Sequence, residues 1–117
     1  NVDCRLQLGA LYANLNRFAE AERAFLDAVE LAPRRPDGYL AAARLYAISG
    51  RKTYQAVRLA EKAVELAPTA KTYLILSAAH KSNGDLAGAL AAIKQAIELD
   101  PQNNDYRQMH DLLLQRK

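Results

Sequence analysis

Arg17-Phe18-Ala19-Glu20-Ala21-Glu22-Arg23-Ala24-Phe25-Leu26-Asp27-Ala28-Val29-Glu30-Leu31-Ala32-Pro33 decides how the chain is read, because its order of small and bulky residues returns twice. Leu86 to Pro101 repeats it nearly position by position, and Thr53 to Pro68 repeats it with one extra residue just upstream. Each copy carries an Ala, a bulky or small apolar residue four positions on, and an Ala three later. An apolar-acidic-Leu triplet, one residue and Pro then close it. The closing prolines Pro33, Pro68 and Pro101 stand 35 and 33 residues apart. Apolar residues at three- and four-residue spacing mark one face of a helix. Two such helices in a period of about 34 residues mark stacked hairpins.

Composition agrees with an all-helical reading. The chain has 117 residues, half of them apolar and a quarter charged, with no Trp and few Gly or Pro. A chain of this length buries roughly two-thirds of its unfolded surface and needs no covalent staple. Its single cysteine, Cys4, forms no internal disulfide and offers no metal-ligand spacing. No apolar run approaches the ~18 residues of a membrane span, and no stretch reads as a secretory leader, so the expectation is a soluble protein of unassigned compartment. The net charge is +3, and the basic pairs Arg34-Arg35, Arg51-Lys52 and Arg116-Lys117 fall at turns or at the C-terminal end. These read as solvated turns, because no aromatic-studded basic stripe accompanies them, and nucleic acid is disfavoured as a partner.

Taken in order, a first helix spans Val2 to about Leu15, with Leu6, Leu8, Leu11, Tyr12 and Leu15 at helical spacing. Asn16 stands where Gly50 and Gly84 stand in the other copies, the residue types that adopt the left-handed conformation closing a helix. The second helix runs from about Arg17 to Leu31 and stops before Pro33. Pro36-Asp37 opens a third, to about Ile48, with Tyr39, Ala42, Ala43 and Tyr46 on one face. The fourth covers about Thr53 to Leu66, with its extra residue assigned to the turn. Ala60 stands where Phe25 and Ile93 stand, which suggests that the bulk moves to Leu59. The fifth runs from about Ala70 to Ser82, and the sixth follows an N-cap at Asp85 and reaches Leu99. A seventh, Asn104 to Gln115, places Tyr106, Met109 and Leu113 on one face and Arg107, Asp111 and Gln115 on another.

Aligned in columns, the chain resembles the tetratricopeptide repeat family. The first copy matches at Leu8-Gly9, Tyr12, Ala21, Phe25, Ala28 and Pro33. The second matches at Tyr39, Ala43, Tyr46, Gly50, Ala56, Ala63 and Pro68, and the third at Tyr73, Leu76-Ser77, Gly84, Ala89, Ala96 and Pro101. Asn16 for Gly, His80 for Tyr, Ala60 for a large residue and the extra residue of the second copy depart from the pattern. The expected fold is an all-α, right-handed α-solenoid of three antiparallel helix pairs in one domain. Its repeats fall at about 2–35, 36–69 and 70–103, and a seventh, capping helix at about 104–115. Small residues at Gly9, Ala43 and Ser77, and at Ala21, Ala56 and Ala89, let paired backbones approach, while Tyr12, Tyr46 and Phe25 fill the wider gaps. Stacked hairpins then bury the apolar faces and leave a concave surface formed by the first helices.

The resemblance implies that this concave surface binds peptide. By register with the family its lining is Leu6, Ala10, Ala13 and Asn14, then Leu40, Arg44, Ala47 and Ile48, then Leu74, Ala78, Lys81 and Ser82, with Lys71 nearby. Leu6, Leu40 and Leu74 make an apolar ladder, and Arg44 with Lys81 gives the groove a positive side. The family's chaperone-binding members grip a terminal carboxylate with Lys and Asn from the first repeat and Lys and Arg from the third. Here Leu6 and Ala10 occupy the first pair and only Lys71 remains of the second. The expectation is therefore an apolar anchor rather than a carboxylate clamp.

The remaining polar residues point away from chemistry. His80 shares a column with Tyr12 and Tyr46 and reads as a half-buried packing residue, with no Ser, Cys or carboxylate placed to act with it. His110 reads as solvent-facing or stacking, and Glu20 with Glu22, like Glu61 with Glu65, as solvated outer faces. Gly50 and Gly84 stand alone and make no phosphate loop. Neither a cofactor nor a small-molecule substrate is implied. The expected function is a non-catalytic scaffold for a protein or peptide partner. Its rivals are self-association and, behind that, contact with RNA. Cys4, Leu11 and Leu15 lie where a preceding repeat would sit. With Asn1 rather than Met at the start, this suggests the C-terminal piece of a longer protein, or homo-oligomers formed through the N-terminal face.

Overall fold

A computed structural model describes residues 2–115; Asn1 and the basic pair Arg116-Lys117 lie outside the described residues. Within them the chain forms seven helices: α1 (Val2–Asn14), α2 (Phe18–Leu31), α3 (Pro36–Ser49), α4 (Thr53–Leu66), α5 (Ala70–Ser82), α6 (Leu86–Leu99) and α7 (Asn104–Leu114). Each odd helix packs against the even helix that follows, each even helix packs against the next odd one, and α1, α3 and α5 touch in a row. The body measures 38 × 24 × 22 Å.

The ends of the helices follow from local chemistry. Asn16 (φ 62°) and Gly84 (φ 78°) adopt the left-handed conformation at the turns within their hairpins, and Gly50 (φ 72°) does so at the end of α3. Ala32, Ala67 and Asp100 end the three even helices alike, each donating its N–H to the carbonyl four residues back, with Pro next in sequence. Thr69 and Thr72 form a reciprocal capping box at α5, the Asp85 side chain accepts from Gly88 N at 2.9 Å, and Asn103 caps α7. The extra residue of the second copy is absorbed at Lys52, which is left-handed (φ 52°) without being Gly or Asn. A non-glycine residue there costs about 1–2 kcal/mol, offset by what its side chain does. Lys52 Nζ donates to Glu22 Oε2 at 2.7 Å and lies over the Tyr46 ring.

Each hairpin closes on small residues. Gly9, Ala43 and Ser77 on the odd helices, and Ala21, Ala56 and Ala89 on the even ones, are all buried. A Cβ at Gly9 would stand 2.6 Å from Phe25 Cδ1, so hydrogen alone fits there. Ser77 is the polar member, and its hydroxyl is satisfied by the Ala89 carbonyl at 2.8 Å. Phe25 and Tyr46 are buried and Tyr12 half-buried. Leu59 does take up the bulk missing at Ala60, and it packs against the cores of both the first and the second hairpin. On α7, Leu113 is buried with Tyr106 and Met109 against Ile93, while Arg107, Gln108 and Asp111 are exposed.

Four expectations change. Glu22 is not a simple solvated acid, because it accepts from both Tyr46 Oη at 2.6 Å and Lys52 Nζ, joining α2 to α3 and the turn after it. The turn cations bridge elements: Arg35 pairs with Asp37 and, at 3.2 Å, with Asp3, tying the start of α1 to the start of α3. His80 has a carboxylate partner, Asp85 Oδ2 at 3.4 Å from Nδ1, brought back by the turn at Gly84. His110 is half-buried, and its Nε2 is enclosed without a partner among the described residues.

The Lys52 and Tyr46 hydrogen bonds hold the Glu22 carboxyl below its usual range. A lowered folded-state pKa stabilises above the unfolded value of about 4.5 and is lost as pH falls through the folded one. Urea midpoints measured against pH should therefore drop on the acid side below about 4.5. That limb should flatten in Glu22→Gln; an unchanged acid limb would separate Glu22 from the effect. Burial and then Glu22 push the Tyr46 hydroxyl up, so its contribution fades only as pH rises beyond about 10. Gly9→Val should cost about 1–3 kcal/mol through overpacking. With Phe25→Leu added, the double variant should lose less than the sum of the two single changes, whereas strict additivity would mean that Gly9 and Phe25 do not meet.

Candidate protein-binding groove

The row α1, α3 and α5 presents one long surface, and a cleft opens on it between α1 and α3. This cleft, of about 390 Å³, is lined by Leu6, Ala10, Ala13, Asn14, Asn16, Phe18, Phe25, Ala41, Arg44, Leu45 and Ile48. Its floor is apolar. Phe25 and Leu45 are buried, Leu6, Ala13, Phe18 and Ala41 are half-buried, and Ala10, Asn14, Asn16, Arg44 and Ile48 are exposed. Ile48 stands out at 69 % exposure.

The cleft is a consequence of side-chain size. Ala10 occupies the column of Arg44, and Ala41 that of Ile75. At the next junction Ile75 packs against the second core, where Ala41 leaves room above Phe25 and Leu45. Arg44 supplies the charge: its guanidinium stands at the edge of the cleft with no ion-pair partner among the described residues.

Six of the groove residues read from the sequence therefore meet in one place: Leu6, Ala10, Ala13, Asn14, Arg44 and Ile48. Leu40 is half-buried outside this cleft, as are Leu74 and Ala78, while Lys71 and Lys81 are exposed on α5. The leucine ladder is partly spent within the fold, since Leu6 packs against the Phe25 cluster and Leu74 against the Ile93 cluster. The cleft floor, Phe25 with Leu45 and Ala41, is missing from the groove lining read from the sequence, where Phe25 figures only as a packing residue. Its available signal was the set of alanines at Ala10, Ala13 and Ala41, whose counterparts at the next junction, Arg44, Ala47 and Ile75, are larger at two of the three positions. On the other side of α1, Cys4, Leu11 and Leu15 are exposed.

Neither histidine sits in the groove cleft. Among the described residues no group of three or more His, Cys, Asp or Glu side chains is placed to hold a metal ion, and no helix is long and apolar enough to cross a membrane.

The tetratricopeptide repeat family profile matches residues 2–35 and 70–103. This chain belongs to the tetratricopeptide repeat family. Among its relatives, the wheat (Triticum aestivum) Hsp70-Hsp90 organizing protein is 44% identical over 89 residues, which is 74% of this chain and 15% of that protein. The human (Homo sapiens) Protein O-mannosyl-transferase TMTC1 is 33% identical over 97 residues, 82% of this chain and 11% of that one. The chain thus spans a small part of the length of either relative. Of solved structures, the first TPR of Spaghetti (RPAP3), bound to the HSP90 peptide SRMEEVD, superposes with a TM-score of 0.88 at 21% identity. The alignment covers 97% of this chain and 93% of that one. At that identity the likeness is one of fold.

The TPR groove separates into a rim that carries no packing and a floor that does. Arg44→Glu and Ile48→Ser should each leave the unfolding free energy within about 0.5 kcal/mol, whereas Phe25→Ala should cost about 3–5 kcal/mol. Urea denaturation distinguishes the two groups, and a large loss at Ile48 would mean that it is covered in solution.

Proposed function

We propose that this TPR chain is a non-catalytic scaffold that binds an extended or helical protein segment along α1, α3 and α5. The cleft between α1 and α3 takes one apolar anchor side chain. The single observation behind this reading is that cleft: an apolar hollow over the buried Phe25 and Leu45, edged by the exposed cation Arg44. An anchor buried in a pocket contributes most of the affinity of such a contact, and surrounding contacts mainly exclude water. Arg44, with Lys71 and Lys81 further along, favours a segment carrying acidic residues beside the anchor.

The HSP90 peptide held by the Spaghetti TPR carries three acidic residues in SRMEEVD, and the wheat relative is named for Hsp70 and Hsp90. An acidic peptide therefore fits the positive side of this groove as well. A terminal carboxylate grip does not, because Leu6 and Ala10 supply no donor where the family's chaperone-binding members place Lys and Asn. The reading is an internal apolar-acidic segment rather than a free acidic tail.

Peptide selection on the chain, followed by fluorescence polarisation, tests it. The selected peptides should share one apolar residue flanked by acids. Ala10→Leu, which fills the cleft without adding charge, should weaken them ~10-fold or more, and Arg44→Glu by a similar factor. Leu40→Glu should also reduce binding. A selection that returns only acidic C-termini, with affinity lost on Lys71→Ala and unaffected by Ala10→Leu, would replace the anchor with a clamp.

A further inference from the structure

At steps of 34 residues, Leu8, Ala42, Leu76 and His110 share a column. In α3 and α5 that column faces the hairpin before. Ala42 is buried in the cluster of Ala21 and Phe25, and Leu76 packs against that of Ala56, Val57 and Ala60. In α7 an imidazole takes the same place. His110 is half-buried, and its Nε2 is enclosed without a hydrogen-bond partner among the described residues. A neutral ring tolerates that position, because its proton can sit on Nδ1 and only a lone pair goes unmet. A protonated ring carries N–H on both nitrogens, and the enclosed one is then a charged donor with no acceptor.

The charges around the ring do not offset this cost. Lys94 and Glu98 of α6, with Arg107 and Asp111 of α7, line the cleft that His110 shares, two of each sign. Asp111 Oδ1 stands 3.8 Å from Nδ1, beyond hydrogen-bond distance and at the other nitrogen. Arg107 is held by the Pro101 carbonyl, to which its Nε donates at 3.1 Å and a terminal nitrogen at 2.9 Å. His110 also lies a full turn before the end of α7 at Leu114, where the negative end of the helix no longer favours a cation.

The helix itself is poorly equipped to absorb the cost. It has 11 residues, with Leu113 its one buried side chain, and a helix that short does not persist in water by itself. We propose that α7 is an acid-released latch: neutral His110 holds it on α6, and protonation of His110 frees it by local opening while α1 to α6 stay folded. Release loosens the cluster of Ala89, Ile93 and Ala96, against which Tyr73 and Leu74 of α5 pack. The cleft between α1 and α3 has no residue of α5, α6 or α7 in its lining and is left intact.

Opened α7 takes up a proton near the ordinary imidazole value of about 6.5 and closed α7 excludes it, so the opening constant should rise ~10-fold between pH 7.5 and pH 5.5. This window lies above the carboxylate range in which Glu22 acts. Native-state amide exchange at the two pH values, corrected for intrinsic rates, reads the opening helix by helix. Protection across residues 109–113 should fall ~10-fold on acidification while that of α3 and α4 holds. His110→Gln, which does not titrate, should abolish the fall, and so should His110→Leu, which restores the residue type of Leu76. His80→Tyr should leave the fall in place, because Asp85 Oδ2, 3.4 Å from Nδ1 of His80, is there to pair with that ring when it is charged. Protection that is unchanged or higher at pH 5.5 would overturn the proposal. So would a fall that survives His110→Gln, or one shared equally by α3 and α4, since no separate latch would then exist.

Discussion

The constraint on which this molecule depends is the close approach of the two helices in each hairpin. At the buried seam of each hairpin the chain places hydrogen, methyl or hydroxymethyl: Gly9, Ala43 and Ser77 on one helix and Ala21, Ala56 and Ala89 on the other. Interiors pack at the density of organic crystals, so one methylene at such a point has nowhere to go. The aromatic side chains complete the packing: the Phe25 ring lies against Gly9 in the first hairpin, and Tyr46 is buried in the second. With the seam set by residue size, the hairpins are near copies and stack one on the next. That stacking brings α1, α3 and α5 into contact as a row.

α3 and α5 therefore each carry three distinct faces. One is closed by its own partner helix, one by the preceding hairpin, and one remains for the groove. The polar groups follow the same division. Glu22, Tyr46 and Lys52 join neighbouring elements on the outside, Arg35 pins Asp3 and Asp37 together at one end, and Ser82 donates to the Ala47 carbonyl across the junction between the second and third hairpins at 2.8 Å. Surface ion pairs of this sort contribute little each; their value lies in fixing the angle between hairpins whose apolar contacts are non-directional.

The hairpins could be read from the sequence because they are repeated, and repetition makes each column an experiment performed three times. Asn16 was interpretable as a left-handed residue only because Gly50 and Gly84 share its place. Leu59 was interpretable as displaced bulk only because Ala60 is small where Phe25 and Ile93 are large. Features that occur once left no such trace. The left-handed Lys52, the return of Asp85 to His80 and the double bond into Glu22 all depend on how a turn directs a side chain, and turns are where the copies differ. The groove was half legible: the register named Leu6, Ala10, Ala13, Asn14, Arg44 and Ile48, but not the floor beneath them, because Phe25 and Leu45 belong to the packing pattern and look like core from the sequence alone.

The cleft and the second hairpin's irregularity are linked through volume. Leu59 joins both the first and the second core, so the junction between these hairpins is filled from the α4 side. Ala10, Ala13 and Ala41 leave it unfilled on the groove side. A repeat array with uniform columns would offer a uniform, shallow surface, and its affinity for any one segment would rest on many weak contacts. Here the missing side chains at one junction concentrate apolar surface beside one cation, Arg44. On the proposed reading of the groove, specificity arises where the repetition fails, because only there does the groove differ from the packing code that builds it.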